Sequence, residues 1–208
     1  MNRILIVTAV EVEAEAVRRG LPAEAAHGVT VLAGGVGSAQ AAAAAARALA
    51  LDPGYDAVLS VGIGGAFPGK AELGELLLAR RVVAADLGAD SPAGFLSVDE
   101  LGFGTSTLDG GRVPGVDAVV GTILTVNTAT GTDERAAELL ERYPQAVGEA
   151  MEGYGVAAAA ALFDLSFAEV RAVSNVVGKR DRDSWRLGLA FSALTSAARP
   201  IAEGLEAC

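Results

Sequence analysis

Apolar residues fall into short unbroken runs that alternate with stretches of helical spacing along the whole chain. Ile4-Leu5-Ile6-Val7 is continuous and mostly β-branched, the pattern of a strand covered on both faces, and Glu11 to Arg19 then takes helical spacing. Val29 to Ala33 is a second strand pattern, ending in Gly34-Gly35-Val36-Gly37-Ser38. The alanine tract Ala39 to Leu51 predicts a helix by propensity, and Asp52-Pro53-Gly54 stops it. Ala57 to Val61 is expected as a third strand that ends in the glycine cluster Gly62-Ile63-Gly64-Gly65.

Leu76 to Val83 predicts a longer strand, and residues 86–115 are turn-rich with little periodicity. Gly121 to Val126 is strand-like and leads to Asn127-Thr128-Ala129-Thr130; Thr132 is a plausible N-cap for a helix to Glu141. Ala146 to Glu149 reads as a short strand, Tyr154 to Phe163 as an alanine-rich helix, and Phe167 to Val173 as the last strand. Trp185 to Glu206 is expected as a closing helix, with Pro200 as a point for a kink. Strands alternating with helices predict an α/β fold of three layers, α/β/α, around a central mixed, mostly parallel sheet. A length of 208 residues with no linker or repeat fits a single domain spanning 1–208.

Composition narrows the chemistry. Hydrophobic residues reach 51% while aromatics are 5%, so the core is built from Ala, Val and Leu. Glycine occurs 26 times, well above the usual share of ~7%, and in clusters that signal tight turns and close backbone approach. A net charge of −10 argues against nucleic acid and anionic membrane as partners. The single cysteine, Cys208, offers no internal disulfide or thiolate metal site, and the single histidine, His27, sits in a polar turn as an expected surface residue. No metal and no organic cofactor are expected. The run Ile4 to Val10 is too short for a signal peptide, and no charge-free apolar stretch approaches ~18 residues, so a cytoplasmic protein is expected.

The chemistry gathers at predicted strand ends. Arg171-Ala172-Val173-Ser174-Asn175 closes the last strand and opens into the charged loop Gly178-Lys179-Arg180-Asp181-Arg182-Asp183, the place where open α/β folds bind ligands. The two glycine clusters match neither a Walker loop nor a complete dinucleotide fingerprint. Glu11, Glu13 and Glu15 begin a helix, where acids also suit the helix dipole. Met151-Glu152 precedes a helix, and Glu152 has the same structural alternative.

Taken in order, Glu11-Val12-Glu13, Met151-Glu152 and Ser174-Asn175-Val176-Val177-Gly178-Lys179-Arg180-Asp181-Arg182 resemble the nucleoside phosphorylase/nucleosidase superfamily over nearly the whole chain. The branch most similar is that of the methylthioadenosine/S-adenosylhomocysteine nucleosidases and, by the last motif, the futalosine hydrolases. The resemblance implies that Glu13 activates the attacking water and that Glu152 binds the ribose hydroxyls above Met151. It also implies Asn175 facing the purine, with Ser174 and Arg171 at the substrate, holding the water-activating Glu and the neighbouring loop in place; structural salt-bridging suits both equally well. Gly64, Ala129 and Thr130 are expected at the base or sugar, and Trp185 at the 5′ side. Arg180 and Arg182, with Lys179, are candidates to meet a substrate carboxylate.

Three N-terminal carboxylates disfavour a phosphate dianion, so hydrolysis is expected over phosphorolysis. Asn175 stands where a nucleosidase of the adenine type carries Asp, and its amide can donate to a 6-oxopurine. The activity expected from this resemblance is release of hypoxanthine from futalosine, in the futalosine route to menaquinone. A homo-oligomer, dimer or higher, is expected. Purine nucleoside phosphorylase, methylthioadenosine/S-adenosylhomocysteine nucleosidase and non-catalytic nucleoside-binding protein remain the alternatives.

Overall fold

The computed structural model describes residues 3–203, with the side chains of Ala26 and His27 outside the description. The readings placed on Cys208, on the His27 side chain and on a helix running to Glu206 therefore lie outside the described residues. The strands are β1 (Ile4–Thr8), β2 (Val29–Ala33), β3 (Ala57–Ala66), β4 (Leu76–Ala84), β5 (Gly88–Ser91), β6 (Gly94–Ser97), β7 (Thr107–Asp109), β8 (Val119–Thr125), β9 (Ala146–Ala150) and β10 (Ser166–Val176). The α-helices are α1 (Glu11–Gly20), α2 (Ser38–Leu51), α3 (Asp133–Arg142), α4 (Gly153–Leu162) and α5 (Leu187–Glu203), with Pro200 inside the last.

A central mixed sheet runs β10-β4-β8-β9-β3-β1-β2, with β7 paired to β4. Because β10 also pairs with β3, the strands β3, β9, β8, β4 and β10 close into a ring from which β1 and β2 extend. Most pairings are parallel; β10–β4, β3–β9 and β4–β7 are antiparallel.

The alternation of β1 explains its unbroken apolar run. Leu5 and Val7 pack with Ala41, Ala45 and Leu49 of α2 and Val156 and Ala160 of α4. Ile4 and Ile6 pack on the opposite face with Ala16 and Val17 of α1 and Leu194, Ala197 and Ala198 of α5. Burying each such side chain contributes about 1.5–3 kcal/mol, enough to outweigh the ~1–2 kcal/mol of backbone entropy lost per residue. Alanine on the facing helices lets α2 approach α4, and α1 approach α5, while the sheet stays covered on both sides. Thr132 caps α3 by accepting the Arg135 N–H. No described helix is long and apolar enough to cross a membrane.

Three expectations need correction. The cluster Gly62-Ile63-Gly64-Gly65 is not a loop after β3 but its second half, paired with β10 throughout. β10 likewise continues past Val173 through a bulge to Val176, so Asn175 belongs to the strand. The turn-rich segment 86–115 contains the hairpin β5–β6 and the short strand β7. Strands of four and three residues are too short for periodicity to reveal.

Candidate active site

Strand ends from two directions meet on one side of the ring. The parallel strands β1, β3 and β10 deliver their C-terminal ends there, and β9 meets β3 head-on, with Gly65 paired to Glu149 on one side and to Asn175 on the other. A cavity of ≈ 250 Å³ lies at this junction. A more voluminous groove of ≈ 890 Å³ runs along Leu78 to Arg80 and Gly110 to Val116, but it has no carboxylate or hydroxyl side chain in its lining. The chemistry belongs to the smaller site.

Glu13 enters the cavity from the first turn of α1 and is 2% exposed. Its Oε2 accepts the N–H groups of Ala9 (2.9 Å) and Val10 (3.1 Å), and its Oε1 accepts the N–H of Ile63 (2.9 Å). The β1–β3 pairing brings Ile63 to this position. A Cβ at Gly62 would lie 2.7 Å from Glu13 Oε1 and 2.8 Å from Arg171 Nη1, so only glycine leaves room for both. Glu11 and Glu15 point outward instead, and Glu11 pairs with Arg18 at 2.5 Å.

Glu152 is the second cavity carboxylate. Its Oε1 accepts the Gly37 N–H (3.1 Å) and its Oε2 accepts Arg171 Nη1 (3.1 Å). The glycine turn before α2 thus serves a side chain more than a hundred residues away. Arg171 itself, expected at the substrate, does not line the cavity. It is 1% exposed, donating to Glu169 Oε1 (2.7 Å) and Ser60 Oγ (2.6 Å) as well as to Glu152. Burial pushes the Glu169 carboxyl up, against the pull of Arg171. Burial works against the Arg171 charge too, but Glu169, Glu152 and Glu13 together outweigh it and hold the guanidinium protonated.

The third carboxylate, Glu149, was not anticipated from the sequence. Its Oε1 accepts the Thr130 N–H (2.8 Å) and its Oε2 the Thr130 hydroxyl (2.6 Å), and burial raises its pKa above the ordinary carboxylate value. An acid inside the short buried strand Ala146 to Ala150 was the available signal. Glu169, in the apolar run of β10, carried the same signal and stands two residues from Arg171, on the same face.

Ser174 Oγ bridges Gly64 O (3.2 Å) and Asn175 Oδ1 (2.8 Å), while Asn175 Nδ2 donates to Val176 O (3.1 Å). Met151, Gly64, Ala129 and Thr130 also line the cavity. Arg180 and Trp185 stand at its exposed side, the guanidinium 5.6 Å from the indole centre. Arg182 does not join them. It opens a short 3-10 turn, faces solvent and lines a separate surface depression with Trp185 and Arg186.

Three carboxylates, Glu13, Glu149 and Glu152, therefore surround the cavity, and Arg180 is its one cationic lining residue among those described. The trio differs from the N-terminal one expected, but the electrostatic consequence is the same. Such a site repels a phosphate dianion, favours a cationic sugar and offers a fixed carboxylate to a water molecule.

Residues 10–202 match the model of the Phosphorylase superfamily. A futalosine hydrolase of Streptomyces coelicolor is 48% identical over 98% of this chain and 96% of that protein. Among solved structures, the methylthioadenosine/S-adenosylhomocysteine nucleosidase of Neisseria meningitidis superposes with a TM-score of 0.79 at 17% identity, covering 98% of each chain. The futalosine hydrolase of Helicobacter pylori superposes at 0.76 and 20% identity, covering 94% of each. At these identities the structural likeness is one of fold, which agrees with the mixed sheet described above. With nearly half its residues shared along almost its full length, the chain belongs to the Phosphorylase superfamily and, within it, to the futalosine hydrolases.

Proposed function

We propose that the protein is an N-ribosyl hydrolase that cleaves futalosine to hypoxanthine and dehypoxanthine futalosine. The observation that carries this reading is the Glu13 carboxylate, fixed by three backbone N–H groups at the wall of a cavity that also holds Glu152 and Asn175. Oε2 has two of these donors and Oε1 one, so Oε1 keeps a lone pair for a water proton. Glu13 takes a proton from water as the water oxygen bonds to C1′, and the C1′–N9 pair leaves with the base as its anion, which takes a proton from solvent to give hypoxanthine. Positive charge develops on the ribose, where Glu152 and its hydrogen bonds to the sugar hydroxyls stabilise it. Met151 packs under the sugar.

Asn175 donates a hydrogen bond to the departing purine, with Ser174 holding its amide. Arg171 acts from behind by fixing Glu152. Gly64, Ala129 and Thr130 border the base and sugar, and Arg180 stacked near Trp185 suits the carboxylate of the futalosine side chain. No cofactor or metal takes part. The reaction belongs to the futalosine route to menaquinone, in the cytoplasm, carried out by a single domain over residues 1–208. A homo-oligomer, dimer or higher, completes this reading.

Glu13→Gln tests the assignment. It removes the base but keeps an oxygen that can accept the Ala9 and Val10 N–H groups, while its NH2 faces the Ile63 N–H, so kcat is expected to fall ~10²–10⁴-fold while hypoxanthine still binds. A kcat within a few-fold of the parent would remove Glu13 from the mechanism.

A further inference from the structure

The mechanism leaves Glu149 without a task, and Asn175 without a complete argument for specificity. A carboxamide presents both a donor and an acceptor, so only the bonds from Ser174 Oγ and to Val176 O keep Asn175 from turning over to serve the 6-amino group of adenine in place of O6 of a 6-oxopurine. Asn175 alone is a weak selector. A second polar group on the base wall is needed, one that cannot change its character.

Glu149 has the required placement. It is 7% exposed, lines the same cavity, and faces Asn175 across Gly65, which pairs with both residues. Two strand spacings put the two Cα atoms about 10 Å apart. Both side chains line the cavity, and a Cβ on Gly65 would lie 2.7 Å from Val177 Cγ2 and 3.0 Å from Asn175 Nδ2, so only glycine at this position leaves Asn175 its place. Thr130 grips the carboxylate through both oxygens, fixing its plane without supplying a counter-charge. Each oxygen keeps a further lone pair.

Resting on the futalosine reading above, we infer that Glu149 selects a 6-oxopurine base by accepting a hydrogen bond from its N1–H, with Asn175 donating to O6 or N7 along the same edge. Adenine carries a lone pair at N1, and an ionised carboxylate repels it. The ionised acid is acceptor-only, so it discriminates where the amide does not, and a buried group left unpaired by the wrong base makes the discrimination large. Thr130 is then a positioning residue for Glu149.

A purely structural role, tying the loop of Ala129 and Thr130 to β9, makes a different prediction for Glu149→Gln. Glutamine can still accept the Thr130 N–H and donate to its hydroxyl, so the loop is kept and only the charge is lost. Calorimetric Kd values for hypoxanthine and adenine, with kcat/KM for futalosine, decide between the roles. We expect the parent protein to prefer hypoxanthine by at least about tenfold, and Glu149→Gln to lower that preference by at least about tenfold, with kcat/KM for futalosine falling in step. A folded Glu149→Gln protein with the parental base preference would overturn the inference. So would equal Kd values for the two bases in the parent protein, a result that needs no variant. A parent protein that prefers hypoxanthine but does not hydrolyse futalosine would strike the substrate reading and leave the Glu149 assignment standing.

Discussion

Arg171→Met should be among the most damaging single changes in this protein. Methionine fills much of the volume of the arginine stem but supplies none of its donors. The guanidinium is 1% exposed and bonds to Glu169, Glu152 and Ser60 at 2.7, 3.1 and 2.6 Å. Glu152 would keep the Gly37 N–H, whereas Glu169 would lose the donor to its Oε1, and its Oε2 has no partner among the described residues. Removing one partner of a buried ion pair costs ~3–5 kcal/mol, mostly because the remaining charge is orphaned. For a chain of this size each kcal/mol lowers Tm by about 2–4 °C, so a fall on the order of 10 °C is expected.

The double variant Arg171→Met with Glu169→Gln carries no orphaned charge at position 169, and should recover at least about half of the lost free energy. Urea unfolding followed by far-UV circular dichroism measures both. Activity should not recover with stability, because Glu152 is still unpinned. A single variant within about 1 kcal/mol of the parent, or a double variant no more stable than the single, would refute the argument that Arg171 neutralises the buried acids.

Gly62→Ala should lower kcat at least about tenfold with little loss of helix content, since its Cβ would displace Glu13 or Arg171 by a few tenths of an ångström or more; a parental kcat would show that Glu13 tolerates the shift. The raised pKa of Glu149 predicts a pH effect on stability. Below the ordinary value of 4.5 the carboxyl is neutral folded or unfolded; as pH rises, the unfolded chain releases its proton first, and the folded state loses relative stability until the raised value is passed. Tm of Glu149→Gln minus Tm of the parent should therefore increase as pH rises above 4.5. A difference that shrinks over that range would mean that the folded state favours the ionised form.

Much of this architecture could be read from local pattern, and what could not has a physical reason. β1, β2 and α2 were legible because burial on one or two faces writes its period directly into the chain. The end of β3 was not, because glycine reads as a breaker, while here Gly62 is required in mid-strand by the close approach of Glu13 and Arg171; the end of β10 was not, because polar Ser174 and Asn175 follow its apolar run through a bulge. The cavity residues Glu13, Met151, Glu152, Ser174 and Asn175 could be picked out by motif. Their couplings could not: Glu152 is held by Gly37 and Arg171, and Glu149 comes to stand across Gly65 from Asn175 only through the register of three strands. Arg171 looked like a ligand contact because its strand ends at the site, yet a side chain two residues from Glu169 on the same face turns into the protein. Arg180 and Arg182 looked equivalent in the loop, and only the short turn beginning at Arg182 separates them.

The most direct measurement is chromatography of purified protein incubated with futalosine in phosphate-free buffer made with ¹⁸O-water, with a parallel reaction containing phosphate. Hypoxanthine should appear at the same rate in both, and the ribosyl product should carry one ¹⁸O at C1′, the oxygen delivered through Glu13. Hypoxanthine formed only when phosphate is present, with a ribosyl phosphate as the other product, would contradict hydrolysis and leave the Glu13 carboxylate without a catalytic role.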